Sequence, residues 1–204
     1  MEEIRILKVG EKVPDFELDA YFPEKNDFGR VRFSEIFKKG NWIILFFYPA
    51  DYTFVCPTEL ADVAEKYAEF KAEGVELVSI STDTHYVHYA WQNSEKMLSG
   101  IKYPMAADPT HSVSQAFGVY DEASGLALRG TFIIDPDGKL VASEVNYFPV
   151  GRNSDELLRR LNAFKHVREN PTHVCPAKWS PGKKTLTPGK DLVGKVGDKL
   201  MAGG

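Results

Sequence analysis

The chain has 204 residues, of which 43% are hydrophobic and 26% are charged, and its formal net charge is −4 at pH 7. This composition is typical of a globular protein, and the slight acidic excess argues against a nucleic-acid partner. The longest apolar run, residues 42–48, is too short to cross a membrane. Because the N-terminal residues mix charges and lack the apolar core of a signal peptide, we expect a cytoplasmic protein.

The first elements of the chain lead up to a buried central strand. Residues 13–18 alternate apolar and polar side chains, which predicts a half-buried strand, and residues 26–29 have the composition of a turn. One or two helical turns are expected at residues 33–37. The apolar run at residues 42–48 predicts a strand buried on both faces, and Pro49 ends it because proline cannot donate a ladder hydrogen bond.

A helix is predicted after the short loop that follows this strand. Its apolar positions recur at helical spacing, at Leu60, Val63, Ala64, Tyr67 and Phe70. Pro57 suits the first turn, where a missing N–H costs nothing, and Gly74 is a suitable end. The Cys56 thiol is thereby placed at a helix N-terminus, where unpaired N–H groups and the helix dipole favour a thiolate. The alternative is a buried, inert cysteine that packs like a small hydrophobic residue.

The rest of the chain predicts alternating strands and helices followed by a tail of different composition. Strands are expected at residues 75–82, 103–107, 128–135 and 140–146, and helices at residues 84–98, 109–117 and 153–169. Asp137-Gly138 between the last two strands is a strong hairpin signal. This order predicts an α/β three-layer sandwich in one domain, residues 1–169. Residues 170–204, rich in proline, glycine and scattered lysine, predict an extended C-terminal arm.

Two cysteines occur, Cys56 and Cys175, each within a Val-Cys-Pro triplet. A permanent disulfide is disfavoured in a reducing cytoplasm, and neither cysteine has a second ligand at zinc-site spacing. His85 and His88 could form a metal pair on one helix face, but no third ligand lies nearby in sequence. A transient catalytic pair of cysteines is therefore the favoured interpretation. Since no Gly-rich phosphate loop follows any predicted strand, we expect no cofactor.

The stretch FYPADYTFVCPTE around Cys56 resembles the active-site loop of peroxiredoxins, and the similarity extends over about residues 8–180. The pattern is most similar to typical two-cysteine peroxiredoxins of the bacterial alkyl hydroperoxide reductase C type. The resemblance implies a thioredoxin-like fold with a central mixed β-sheet. It also implies a thiol peroxidase that reduces hydrogen peroxide and small organic hydroperoxides.

The resemblance implies a role for each matching residue of this stretch. Cys56 is expected to be the nucleophile that attacks the peroxide. Thr53 is expected to bond the thiolate and the peroxide through its hydroxyl group, and Pro49 is expected to shield the sulfur. Glu59 is expected to orient an arginine that faces the pocket.

Three residues further along the chain complete the site that the resemblance implies. Arg129, within LALRGTFIID, would stabilise the thiolate and hold the peroxide oxygens, although an arginine at a sheet edge is the alternative. Arg152 would brace Glu59. Cys175, within HVCPAKW, matches the resolving cysteine, which in this class comes from the partner subunit. A homodimer is implied, and a ring of dimers is common in the family.

Other functions remain open on the sequence alone. A thioredoxin-like disulfide oxidoreductase is disfavoured, because Pro57, Thr58 and Glu59 follow Cys56 and leave no C-x-x-C motif. A chaperone-like or peroxide-sensing assembly would be additional to the peroxidase site. The resemblance allows either thioredoxin or a dedicated flavoprotein disulfide reductase as the reductant, and the sequence does not distinguish them.

Overall fold

Seven strands form the main sheet of a computed structural model that describes residues 5–201. The strands of this sheet are β1 (Glu17–Phe22), β2 (Asp27–Arg32), β3 (Trp42–Phe47), β4 (Val75–Ser81), β5 (Met105–Ala107), β8 (Arg129–Ile134) and β9 (Leu140–Asn146). Two further strands, β6 (Tyr120–Asp121) and β7 (Leu126–Ala127), form a separate hairpin. The order in the sheet is β2-β1-β5-β4-β3-β8-β9.

The sheet is mixed, as the resemblance to peroxiredoxins implies. Strand β4 runs parallel to β3 and β5, whereas the other pairs are antiparallel. All six residues of β3 are buried between β4 and β8, which explains its uninterrupted apolar sequence. The helices are α1 (Phe33–Lys38), α2 (Cys56–Glu65), α3 (Tyr67–Ala72), α4 (His85–Ser94), α5 (Ser112–Ala116), α6 (Ser154–Glu169) and α7 (Val196–Met201). Within residues 5–201, no helix is long and apolar enough to cross a membrane.

Several element boundaries differ from those predicted. The opening strand begins at Glu17, and its turn precedes Asp27, because residues 27–32 pair with β1 along their whole length. The helix predicted after Cys56 breaks at Lys66 into α2 and α3. The helix predicted at residues 84–98 ends at Ser94, before a separate 3-10 turn.

The chain divides into two compact units, one that ends at Ser154 and one that begins at Asp155. The second unit contains most of α6, an antiparallel bridge between Val174 and Leu186, and α7, which the sequence pattern does not predict. Trp179 is almost fully buried, and its indole N–H donates to the Lys183 carbonyl oxygen. The division into a 1–169 domain and a 170–204 arm stays a prediction.

Candidate active site

Cys56 is the first residue of α2 and is completely buried. The chain reaches it from the carboxyl end of β3 through a loop that begins at the buried Pro49. Val55 precedes the helix and supplies no side-chain cap, and Pro57 occupies the first turn without an N–H group. The local sequence therefore places Cys56 at the positive end of the helix dipole, with no side-chain cap beside it.

Arg129, the first residue of β8, provides a cation at this sulfur. Its Nη1 atom lies 3.4 Å from Cys56 Sγ and 2.5 Å from Glu59 Oε2, and the guanidinium is buried. Its Nε atom donates to the Phe148 carbonyl oxygen at 2.6 Å. Because two acceptors fix the planar guanidinium, its charge is preorganised toward Cys56.

Glu59 lies one helical turn after Cys56 and also binds a second arginine. Glu59 Oε1 accepts from the backbone N–H of Arg152 at 2.9 Å and from its Nε atom at 2.8 Å. Arg152 Nη1 donates to the Gly130 carbonyl oxygen and to Thr131 Oγ1. Burial lowers the pKa of Arg152, and the hydrogen bond and charge of Glu59 oppose that shift. Two buried guanidinium groups and one carboxylate leave a net positive charge beside the thiol.

The hydroxyl group of Thr53 has a backbone partner in this structure, and its bonds to the thiolate and the peroxide, which the resemblance implies, stay a prediction. It donates to the Ala50 carbonyl oxygen at 2.7 Å, which fixes the loop between β3 and α2. A hydroxyl group that donates in one direction can still accept a hydrogen bond through its lone pairs. Thr53 is therefore oriented as an acceptor in this structure.

A second buried network supports the same loop. Tyr48 donates its hydroxyl hydrogen to Asp51 Oδ1 at 2.7 Å, and Asp51 Oδ2 lies 2.8 Å from His88 Nδ1. Burial raises the pKa of both Tyr48 and Asp51. His85 instead contacts the Phe28 ring, so the two histidines face different surroundings. A His85–His88 metal pair does not fit this arrangement.

Cys175 belongs to the second unit and has a different environment from that of Cys56. Its Sγ atom lies 3.8 Å from the Ala163 carbonyl oxygen on α6, an acceptor that favours the protonated thiol. Burial raises the pKa of Cys175, and the positive charge of Arg159 partly opposes this shift. Both cysteines are free thiols in this structure.

The structure thus joins Cys56, Glu59, Arg129 and Arg152 in one network, with Thr53 in the loop before it. The sequence alone does not reveal the Phe148 carbonyl oxygen, because any residue type offers that acceptor. The buried position of Asp51 could have been inferred from the sequence. A carboxyl group that directly follows an apolar strand is often buried, and a buried carboxyl group needs a hydrogen-bond partner.

Comparison with known proteins identifies the family. The family model described as AhpC/TSA family matches residues 9–143, and the C-terminal domain of 1-Cys peroxiredoxin matches residues 163–200, which in this chain include Cys175. Alkyl hydroperoxide reductase C of Staphylococcus aureus is 47% identical over 188 residues, which cover 92% of this chain and 98% of the relative.

Solved structures of peroxiredoxins share the fold. The reduced 2-Cys peroxiredoxin of Plasmodium vivax superposes with a TM-score of 0.85 at 34% identity, covering 90% of this chain and 94% of that one. AhpC of Enterococcus faecalis gives a TM-score of 0.78 at 46% identity, covering 82% of this chain and 98% of that one. The predicted thioredoxin-like fold is confirmed by these neighbours. The chain therefore belongs to the AhpC/TSA family and is a peroxiredoxin, a thiol peroxidase.

Proposed function

We propose that this peroxiredoxin reduces hydrogen peroxide and small organic hydroperoxides, with Cys56 as the nucleophile. The observation that carries the proposal is the contact of 3.4 Å between Arg129 Nη1 and the buried Cys56 sulfur at the start of α2. A thiolate needs a fixed cation and a helix N-terminus to persist when buried. The Cys56 environment supplies both.

In the first step, the Cys56 thiolate attacks one peroxide oxygen and the O–O bond breaks. The sulfur becomes a sulfenic acid, and the other oxygen leaves as an alcohol, or as water, after it takes up a proton. Arg129 stabilises the negative charge that develops on the leaving oxygen. Arg152 and Glu59 hold that arginine in position.

Thr53 and Pro49 have supporting roles in this proposal. Because its own hydrogen is donated to the Ala50 carbonyl oxygen, the Thr53 hydroxyl accepts the hydrogen bond of the peroxide O–H group. This contact orients the peroxide for attack in line with its O–O bond. Pro49, which is buried at the end of β3, limits the access of water to the sulfur.

In the second step, Cys175 of the partner subunit attacks the Cys56 sulfenic acid, a disulfide forms and water leaves. An external dithiol, from thioredoxin or a dedicated flavoprotein disulfide reductase, then reduces the disulfide with two electrons. The cytoplasm, a compartment that keeps thiols reduced, is the proposed site of action.

The subunit contact in this proposal is the outer edge of β9. Val145, Tyr147 and Val150 are exposed on and after this edge strand. The opposite edge, β2, carries Arg30 and Arg32, and such charges protect an edge strand from pairing. We propose that β9 forms the homodimer and that dimers assemble further into a ring.

The test is to measure peroxide consumption with a dithiol reductant for the wild type, Cys56→Ser and Cys175→Ser, with non-reducing electrophoresis alongside. Cys56→Ser should be inactive. The wild type should shift to a disulfide-linked dimer after peroxide treatment, and either serine variant should abolish that shift. Full activity of Cys56→Ser would refute the proposal.

A further inference from the structure

The first turn of α2 lacks an ordinary N-cap. Val55 occupies the N-cap position and has no side-chain oxygen, although serine, threonine, aspartate and asparagine are preferred there. A cap oxygen would compete with a thiolate for the N–H groups at this helix end. The turn that carries Cys56 must therefore be held in another way.

The bonds that hold this turn converge on the Val55 carbonyl oxygen. It accepts from the backbone N–H groups of Thr58 at 3.1 Å and Glu59 at 3.2 Å. It also accepts from the Thr58 hydroxyl group at 2.6 Å. The Thr58 side chain thus closes the turn by bonding backwards, in place of a capping residue.

Immediately after Thr58 the helix is fixed by buried partners. Glu59 binds the guanidinium groups of Arg129 and Arg152. The Leu60 carbonyl oxygen accepts the hydroxyl hydrogen of the fully buried Tyr103 at 2.7 Å. Residues 56–58 are therefore bounded on their C-terminal side by two firm attachments.

We propose that Thr58 is a positioning residue whose hydroxyl bond to Val55 controls how readily the Cys56 turn opens. Residues 56–58 unwind in the open turn, and the helix stays intact from Glu59 onward. This inference rests on the proposed function, because the completely buried Cys56 has to leave its closed turn before Cys175 of the partner subunit can reach it.

The opening decides between two fates of the Cys56 sulfenic acid. In the closed turn the sulfenic acid remains beside Arg129. There a second peroxide transfers one oxygen atom to the sulfur, which gives sulfinic acid and releases an alcohol or water. In the open turn it condenses with a thiol. Extending three residues from helical to fully extended backbone moves the chain by about 5 Å, a displacement comparable with the Cα spacing of a disulfide.

The test compares Thr58→Val, which keeps the side-chain shape but removes the hydroxyl group, with Thr58→Ser, which keeps it. The loss of one net hydrogen bond changes the equilibrium between the closed and the open turn by a factor of about two to ten. Disulfide formation after a peroxide pulse should be faster by this factor in Thr58→Val. The peroxide concentration that converts half of Cys56 to sulfinic acid should rise correspondingly. The rate of the first peroxide reaction should stay within about twofold, and Thr58→Ser should behave as the wild type.

A second measurement uses the wild type and so does not depend on whether Thr58→Val folds. If residues 56–58 unwind, the amides of residues 58–62 lose their helical acceptors, whereas those from Val63 onward keep theirs. Hydrogen exchange of the disulfide form should therefore show lost protection that ends before Val63. Unchanged protection of residues 58–62, or loss beyond Val63, would overturn the assignment of the hinge.

The two proposals fail in different ways. If the wild type forms no disulfide with peroxide, the proposed resolving step is wrong. If the wild type forms the disulfide and Thr58→Val forms it at the same rate or more slowly, the proposed step stands and the role of Thr58 is refuted. If Thr58→Ser matches Thr58→Val, the hydroxyl group is not responsible.

Discussion

Cys56 and Cys175 show how the same tripeptide can lie in different chemical surroundings. Both lie within Val-Cys-Pro. The Cys56 sulfur faces the Arg129 guanidinium group, whereas the Cys175 sulfur faces the Ala163 carbonyl oxygen, an acceptor for its S–H group. This contrast is consistent with the proposed roles, in which Cys56 reacts with the peroxide and Cys175 reacts with the Cys56 sulfenic acid.

We expect Arg129→Lys to slow the reaction of Cys56 with peroxide by about 10²–10³-fold, the cost of removing one preorganised donor. Lysine keeps the charge but cannot contact Cys56, Glu59 and the Phe148 carbonyl oxygen with one rigid group. Stopped-flow measurement of the second-order rate gives the result. Arg30→Lys, at an exposed position, is the matched control and should react as the wild type. A loss below tenfold in Arg129→Lys would argue against its role.

Disulfide formation should accelerate as the pH rises. Burial raises the pKa of Cys175, so its thiol is mainly protonated at neutral pH, and the attacking thiolate increases as pH approaches the raised pKa. Arg159→Gln should slow the step at pH 7, because it removes the charge that lowers this pKa, while Arg159→Lys should slow it less. Quenched-flow analysis of the disulfide between pH 6 and 9 measures the effect. A pH-independent rate would contradict this explanation.

At the scale of elements, Glu59 joins a helix to the sheet. Its carboxylate on α2 binds Arg129 of β8 and Arg152 from the segment after β9, and the Arg152 guanidinium stacks 3.5 Å above the Phe46 ring of β3. The helix that carries the thiol is therefore attached to the central sheet by charge as well as by apolar packing. Because both arginines are buried, the attachment depends on the carboxylate remaining in place.

Glu59→Gln should lower the free energy of unfolding by about 3–5 kcal/mol, because it leaves two buried guanidinium groups without their compensating charge. Urea denaturation of the reduced protein measures the change. Glu65→Gln on the exposed side of α2 is the matched control, and its effect should stay within about 0.5 kcal/mol. If both variants lose the same stability, the Glu59 cluster is not what attaches the helix.

At the scale of the whole molecule, its two edge strands differ in character. Each edge strand exposes an apolar residue, Phe28 on β2 and Val145 on β9, but β2 also carries the exposed Arg30 and Arg32. Such charges protect β2 from pairing with another sheet, whereas β9 leads into the exposed Tyr147 and Val150. The proposed dimer therefore rests on the exposed side chains of β9 and of the segment that follows it.

Tyr147→Asp should shift the reduced protein from dimer toward monomer, since it introduces a charge into the proposed interface, where Tyr147 is 69% exposed in the single chain. Analytical ultracentrifugation gives the mass, and the rate of the intersubunit disulfide should fall in parallel. Met97→Asp, at a position 51% exposed elsewhere, should leave both unchanged. A Tyr147→Asp variant that remains dimeric would place the subunit contact on another surface.

Local sequence was sufficient for features that depend on a few neighbouring residues. The apolar run of β3, the hairpin at Asp137-Gly138 and the start of a helix at Cys56 could all be predicted, because hydrophobic periodicity and turn chemistry act over short distances. The α/β class followed from the order of these elements. The residue roles came from the resemblance of the Cys56 loop, and of the stretches around Arg129, Arg152 and Cys175, to a family, and they stay proposals.

Other features depend on contacts between distant parts of the chain. Glu59 meets Arg129 and Arg152 across 70 and 93 residues, and His88 meets Asp51 across 37. Such pairings follow from strand register and burial, which bring the partners together only when the sheet is assembled. The sequence by itself therefore identifies the candidate thiol, but only the tertiary structure brings the charged groups of distant residues into contact with it.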